Sequence, residues 1–137
     1  SLAVLWWSAP GARGARRCSC GATFTTDLLR PAGGRLPADI AATCFGAPAI
    51  PVINNVHARA ETDPAVIKEL MVRQIYSPVR WVDCVAALTA RGVTLTVECG
   101  AGKVLCGLNK RIAATLATFA TEDDASLAAA LSAAGRC

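Results

Sequence analysis

Twice between residues 63 and 78 a capping side chain is followed at once by proline, in Asp63-Pro64 and in Ser77-Pro78. Proline suits the first position of a helix, where its missing N–H would go unpaired anyway, and it disfavours the helical conformation in the residue before it. These two signals predict a helix that opens at Asp63-Pro64 and runs to about Tyr76. A second helix opens at Ser77-Pro78 and ends at Arg91-Gly92, with Gly92 as its C-terminal cap. The two helices cannot be collinear. In the first, Ile67, Leu70, Met71 and Gln74 recur at the i, i+3, i+4, i+7 spacing of one face, so Gln74 points with the apolar side chains. The second carries Val82, Val85, Ala86 and Thr89 on one face.

Around this pair the pattern alternates between helix and strand. A weak helix is expected from about Thr26 or Asp27 to Ala42, with Leu28, Leu29, Ala32, Leu36 and Ile40 inward and a bend or break near Gly33 to Pro37. Pro48 to Val56 is a short extended apolar run, suited to a buried strand of a parallel sheet, with Asn54-Asn55 as turn and capping chemistry at its end. His57 follows in what reads as a solvated loop. Val93 to Cys99 alternates apolar and polar residues as a strand does. Gly100-Ala101-Gly102 then turns the chain into a helix opened by Lys103 and carrying Val104, Leu105, Leu108, Ile112 and Leu116. Thr121 to Asp124 caps a short last helix through Leu127 and Leu131. Residues 1–26 read as a poorly structured stretch, 27–134 as the folded segment and 135–137 as a tail. The order is helix, strand, two helices, strand, two helices, which is half of an open α/β fold with too few strands.

Composition narrows the function classes. With 53% hydrophobic and 18% charged residues over 137 positions, the chain is a packed domain whose surface is lightly charged. Part of that surface is therefore expected to be covered by something else. The net charge of +4 owes much to Arg13, Arg16 and Arg17, in a stretch without acids, and the rest lacks the basic, aromatic-interleaved face of a nucleic-acid binder. No run reaches the roughly 18 apolar residues of a membrane span, and Leu2 to Trp7 lacks the basic start of a signal peptide. Seven scattered cysteines read as reduced cytosolic thiols rather than a disulfide framework. Cys18-x-Cys20, remote from the sole histidine, His57, does not make a zinc site. Gly100-Ala101-Gly102-Lys103 is not a phosphate loop, because Val97 and Val104 stand where a P-loop has glycine and Ser or Thr. It also lacks the dinucleotide pattern, since Leu105 stands where Gly or Ala is wanted.

Three stretches carry a resemblance when taken together and in order. They are Asn54-Asn55-Val56, Val72-Arg73-Gln74-Ile75-Tyr76-Ser77-Pro78-Val79-Arg80-Trp81, and Glu98-Cys99-Gly100-Ala101-Gly102-Lys103-Val104-Leu105 continuing to Ile112. With them the chain resembles, from about Phe24 to Leu131, the C-terminal part of the bacterial malonyl-CoA:acyl carrier protein transacylases. The resemblance implies the C-terminal portion of a large α/β-hydrolase-like acyltransferase subdomain with an incomplete sheet. It also implies ping-pong malonyl transfer in fatty-acid synthesis, with malonyl-CoA and acyl carrier protein as partners, a cytoplasmic setting and no bound cofactor or metal. A serine in a Gly-His-Ser-Leu-Gly elbow would attack the thioester, a histidine would act as base, an arginine would hold the malonyl carboxylate and backbone amides would form the oxyanion hole. Gln74 inherits by motif the position whose main-chain carbonyl orients the histidine. The departures are as informative. No Gly-x-Ser-x-Gly occurs in the 137 residues. Thr25 stands at the histidine position, in Thr23-Phe24-Thr25-Thr26, and a threonine cannot act as a base near pH 7. The family's Gly-Pro-Gly is Gly100-Ala101-Gly102 here.

Above Phe24 the resemblance stops where the sequence turns rich in Arg, Gly, Cys and Trp, so a frameshifted or truncated reading is expected, with a missing N-terminal half. The chain alone is then expected to be catalytically incomplete. The alternative is a non-catalytic module that binds acyl carrier protein, coenzyme A or a complementary enzyme half. A third reading, a small enzyme using Cys99 or Cys106 with His57, lacks the electropositive exposed setting that a reactive thiol needs.

Overall fold

The computed structural model describes residues 30–31 and 36–135. The elements run α1 (Leu36–Ala42), β1 (Val52–Asn54), β2 (Arg59–Glu61), α2 (Pro64–Arg73), α3 (Trp81–Ala90), β3 (Leu95–Glu98), α4 (Val104–Ile112), β4 (Ala117–Ala120) and α5 (Asp124–Ala134). They make one antiparallel hairpin, β1–β2, and one parallel pair, β3–β4, joined through α4. This is part of an α/β domain with small, incomplete sheets. Thr25, the stretch 1–26 and the first half of the expected N-terminal helix lie outside the described residues. Within them, α1 begins at Leu36 with Pro37 in its first turn, on the far side of the expected break.

Asp63 caps α2 as its sequence implies: its Oδ1 accepts from the Ala65 N–H at 2.8 Å, and Pro64 follows at the first helical position. Lys68 reaches from α2 to the Ala41 carbonyl at 3.1 Å, a cation at the C-terminal end of α1. Gly92, at φ +82°, ends α3 in a Schellman turn, with Gly92 N–H donating to Thr89 O at 3.0 Å and Val93 N–H to Leu88 O at 3.2 Å. Asp123 caps α5 through Oδ1, which accepts from the Ser126 N–H at 2.7 Å. The Ser126 amide and hydroxyl hold this carboxyl below its ordinary range.

Several expectations are corrected. Pro48 to Val56 does not form a buried parallel strand. Only Val52–Asn54 is a strand, it pairs antiparallel with β2, and Val52 is 61% exposed. The cause is Asn54. Asn54 Oδ1 accepts from Val56 N–H at 2.8 Å, its carbonyl accepts from Ala58 N–H at 2.9 Å, and Ala58 takes φ +56°, which reverses the chain within four residues. β2 and β4 were not expected, and Leu116 sits beyond the end of α4 as a buried lead-in to β4.

The second helix does not open at Ser77-Pro78. α2 stops at Arg73, and α3 starts at Trp81 with Arg80 as its N-cap. The Arg80 N–H is committed to the Asn55 carbonyl of the hairpin at 3.1 Å, and its Nε to Asp83 Oδ2 at 2.8 Å. A local cap worth about 1 kcal/mol yields to that docking. The inward face of α3 accordingly consists of Cys84 and Val85, with Trp81 and Leu88 half-buried, while Val82 and Ala86 are exposed. α4 likewise turns Cys106 and Asn109 inward and leaves Val104 and Leu108 outside.

The core runs along Ile40, Ala58, Leu70, Cys84, Val85, Cys106, Leu116 and Ala130. Among the described residues one polar side chain belongs to it. Asn109 accepts from Trp81 Nε1 at 3.0 Å and its Nδ2 lies 3.5 Å from Thr96 Oγ1, tying α3, α4 and β3 together. Among the described residues no helix is long and apolar enough to cross a membrane.

Candidate active-site wall

Gln74 follows the last residue of α2 as its C-cap, with φ −62° and ψ −20°. Its N–H closes the helix on Leu70 O at 2.9 Å. The next two amides tighten, Ile75 onto Val72 O and Tyr76 onto Arg73 O, both at 3.3 Å. The donor that would continue the helix onto the Gln74 carbonyl belongs to residue 78, which is proline and has none. Among the described residues no donor reaches that carbonyl. A strong acceptor at the negative end of a helix is thus left available by the Ser77-Pro78 sequence.

Gln74 borders a cavity of about 360 Å³. Its floor is the apolar face of α2, Ile67, Leu70 and Met71, and its walls are β1 with Asn54 and the Asn55 that follows it, Glu61 of β2, and the loop at Phe45 and Pro48. The face read from spacing alone therefore lines the cavity together. Periodicity could not show its opposite wall, because the hairpin that supplies Asn55 and Glu61 is reached only through the reversal at Asn54 to Ala58.

His57 sits on that reversal, half-buried rather than solvated. Its Nε2 faces Glu61 Oε1 at 3.6 Å and its Nδ1 is buried with no hydrogen-bond partner. Among the described residues no contact links it to Cys99 or Cys106. Cys106 is buried and donates to Phe119 O at 3.2 Å. Burial, with the Glu98 carboxylate beside it, pushes its thiol up, away from the thiolate that reactivity needs. Among the described residues no group of three His, Cys, Asp or Glu side chains could hold a metal.

The glycine turn behaves as a turn and not as a phosphate cradle. Gly100 and Gly102 take φ +134° and +96°. The amides at the start of α4 are already occupied: Glu98 Oε1 accepts from Leu105 N–H at 3.2 Å, and Oε2 from Cys106 N–H at 2.8 Å. Burial works to raise the Glu98 carboxyl, but the amides of Cys106 and Leu105 outweigh it and hold it below the ordinary carboxylate range. A group depressed in the folded state stabilises it above the unfolded value, about 4.3 for glutamate, and loses that contribution as pH falls through the folded value. Urea midpoints should therefore drop as the pH is lowered from about 5 to below 4. Glu98→Gln should be less stable than the parent at pH 7 and lose less over that interval.

The fold is that of one part of an α/β domain. No protein-family model matches the chain, but relatives and solved structures do. Malonyl CoA-acyl carrier protein transacylase of Salmonella typhimurium is 46% identical over 104 residues, 76% of this chain and 34% of that protein. The Bacillus subtilis transacylase is 39% identical over 113 residues, 82% and 36% of the two chains. Among solved structures, the malonyl-CoA:acyl carrier protein transacylase of Xanthomonas oryzae superposes with a TM-score of 0.84 at 39% identity, over 96% of this chain and 42% of that one. A malonyl-transacylase solved in complex with its type II polyketide synthase acyl carrier protein gives 0.80 at 39% identity, over 90% and 40%. In sequence and in fold the chain is thus homologous to the malonyl CoA-acyl carrier protein transacylases, and it spans about a third of the length of these curated relatives.

Proposed function

We propose that this chain supplies the glutamine wall of a malonyl-CoA:acyl carrier protein transacylase site, serving transfer of malonyl from coenzyme A to the carrier's phosphopantetheine thiol. The observation that carries this reading is Gln74, on a cavity, with a main-chain carbonyl that Pro78 cannot cap and that no donor reaches among the described residues. In that role the carbonyl would accept the N–H of an imidazole and hold the ring for proton transfer from the nucleophile. The relatives' names and the carrier-protein complex support the substrate pair.

The chain itself holds no Gly-x-Ser-x-Gly, and Thr25 occupies the position of the base by motif. Loss of a triad nucleophile or base costs on the order of a million-fold in kcat in the serine-protease example. The purified chain should therefore transfer no malonyl to acyl carrier protein above a protein-free blank, read by mass spectrometry of the carrier. Transfer above that blank would refute the reading of Gln74 as one wall of a site whose nucleophile lies outside this chain.

A further inference from the structure

A second cavity, of about 340 Å³, opens where α3 and the chain entering β1 diverge. The hairpin is tied to the first half of α3: Arg80 N–H donates to Asn55 O at 3.1 Å, and Cys84 Sγ lies 3.8 Å from Asn54 O. Among the described residues no hydrogen bond joins Ile50 or Pro51 to the last turn of α3. The gap left there is lined by Ile50, Pro51 and Ile53 from the strand and by Leu88, Arg91 and Val93 from the helix end. Val93 belongs to it because the turn at Gly92 brings the Val93 N–H back onto Leu88 O at 3.2 Å.

Every lining residue but one is apolar, and Ile50 is left 77% exposed. The exception is Arg91. Among the described residues no carboxylate pairs with its guanidinium. No acid lines this cavity, whereas Glu61 lines the one beside Gln74 and Glu122 the one among α4, β4 and α5. A cation at the C-terminal end of α3 is stabilising by itself. That accounts for the arginine but not for the apolar walls it shares. A guanidinium fork takes the two oxygens of a carboxylate together, and apolar walls take an aliphatic chain.

We infer that this cavity binds an unbranched aliphatic monocarboxylate, with its carboxylate on the Arg91 guanidinium and its tail along Ile50, Ile53, Leu88 and Val93. The charge fixes the head group and the lining fixes the tail. The volume lies at the low end for small-molecule sites, which suits a chain of medium length. A multiply charged anion fits less well, because Arg91 is the single charged residue in the lining. The site is separate from the role given to Gln74 and does not depend on it.

The test is titration of the isotope-labelled chain with hexanoate, octanoate and decanoate at neutral pH, followed through the amide cross-peaks in NMR spectra. Saturable shifts are expected at Ile53, Leu88, Arg91 and Val93, with affinity rising about fourfold for each methylene that enters the cavity. Arg91→Gln should weaken decanoate binding about fivefold, the upper end for an ion pair open to solvent, and Arg91→Lys should restore part of the loss. Ile50→Asp changes a largely exposed side chain and sets an acid at the mouth of the cavity, so it should weaken binding too. It serves if the Arg91 variants lose structure. No saturable shift, shifts centred on the cavity beside Gln74, an affinity independent of chain length, or binding that survives both Arg91→Gln and Ile50→Asp would overturn the inference. Any of these results would leave the reading of Gln74 standing, since malonyl transfer is not what the titration reads.

Discussion

Leu70→Ala should cost about 2–5 kcal/mol, the range for truncating a buried leucine whose surroundings collapse only in part. Leu70 is 2% exposed and one of the two largest fully buried side chains among the described residues, the other being Val85. It stands where α2 turns toward the hairpin, it floors the cavity beside Gln74, and its carbonyl takes the N–H that seats Gln74 as the C-cap. Truncation would merge the space left by the side chain with a cavity of about 360 Å³, so little repacking can offset the loss. Urea unfolding followed by circular dichroism at 222 nm should show a markedly lower midpoint with an unchanged slope, or no folded baseline at all. A change below about 1 kcal/mol would mean that the α2 face is not packed as described.

Asn109→Leu should cost about 1–3 kcal/mol, although leucine is the more hydrophobic residue. The side chain is 5% exposed and accepts the Trp81 indole N–H at 3.0 Å. Leucine would leave that donor without its partner, and the penalty is the desolvation of the orphaned group rather than the net worth of one hydrogen bond. The double variant Trp81→Phe with Asn109→Leu removes both partners and should recover part of the loss. A double-mutant cycle in denaturant measures that coupling, and strict additivity would show that the bond contributes nothing.

Much of the local structure was legible because its causes are local. Asp63 with Pro64, Gly92 after Arg91, and Asp123 ahead of Ser126 each act within a few residues, and each forms the cap its chemistry implies. The face of Ile67, Leu70, Met71 and Gln74 was readable from period alone and does line one cavity. The errors have a common origin. Ser77-Pro78 looked like a helix start, yet the Arg80 amide bonds to Asn55, some 25 positions away in sequence, and α3 begins only at Trp81. The run Pro48 to Val56 reads as buried, yet Asn54 folds it into a hairpin with Val52 outside. Val104 and Leu108 fit an inward helical stripe, whereas α4 turns Cys106 and Asn109 inward because Asn109 meets Trp81 and Glu98 meets the first amides of the helix.

By itself, then, the sequence determined where helices can begin and end, which residues lie along the apolar face of α2, and the resemblance that names the family. It also determined that Gln74 has a carbonyl free of the helix, since that follows from the proline four residues on. Only the tertiary structure decided what that face meets. The hairpin, the elbow held by Arg80 on Asn55 and the buried Trp81–Asn109 bond all depend on partners distant in the chain. Periodicity reports which side of an element is apolar, whereas the free energy of burial and of satisfying polar groups depends on what arrives opposite it.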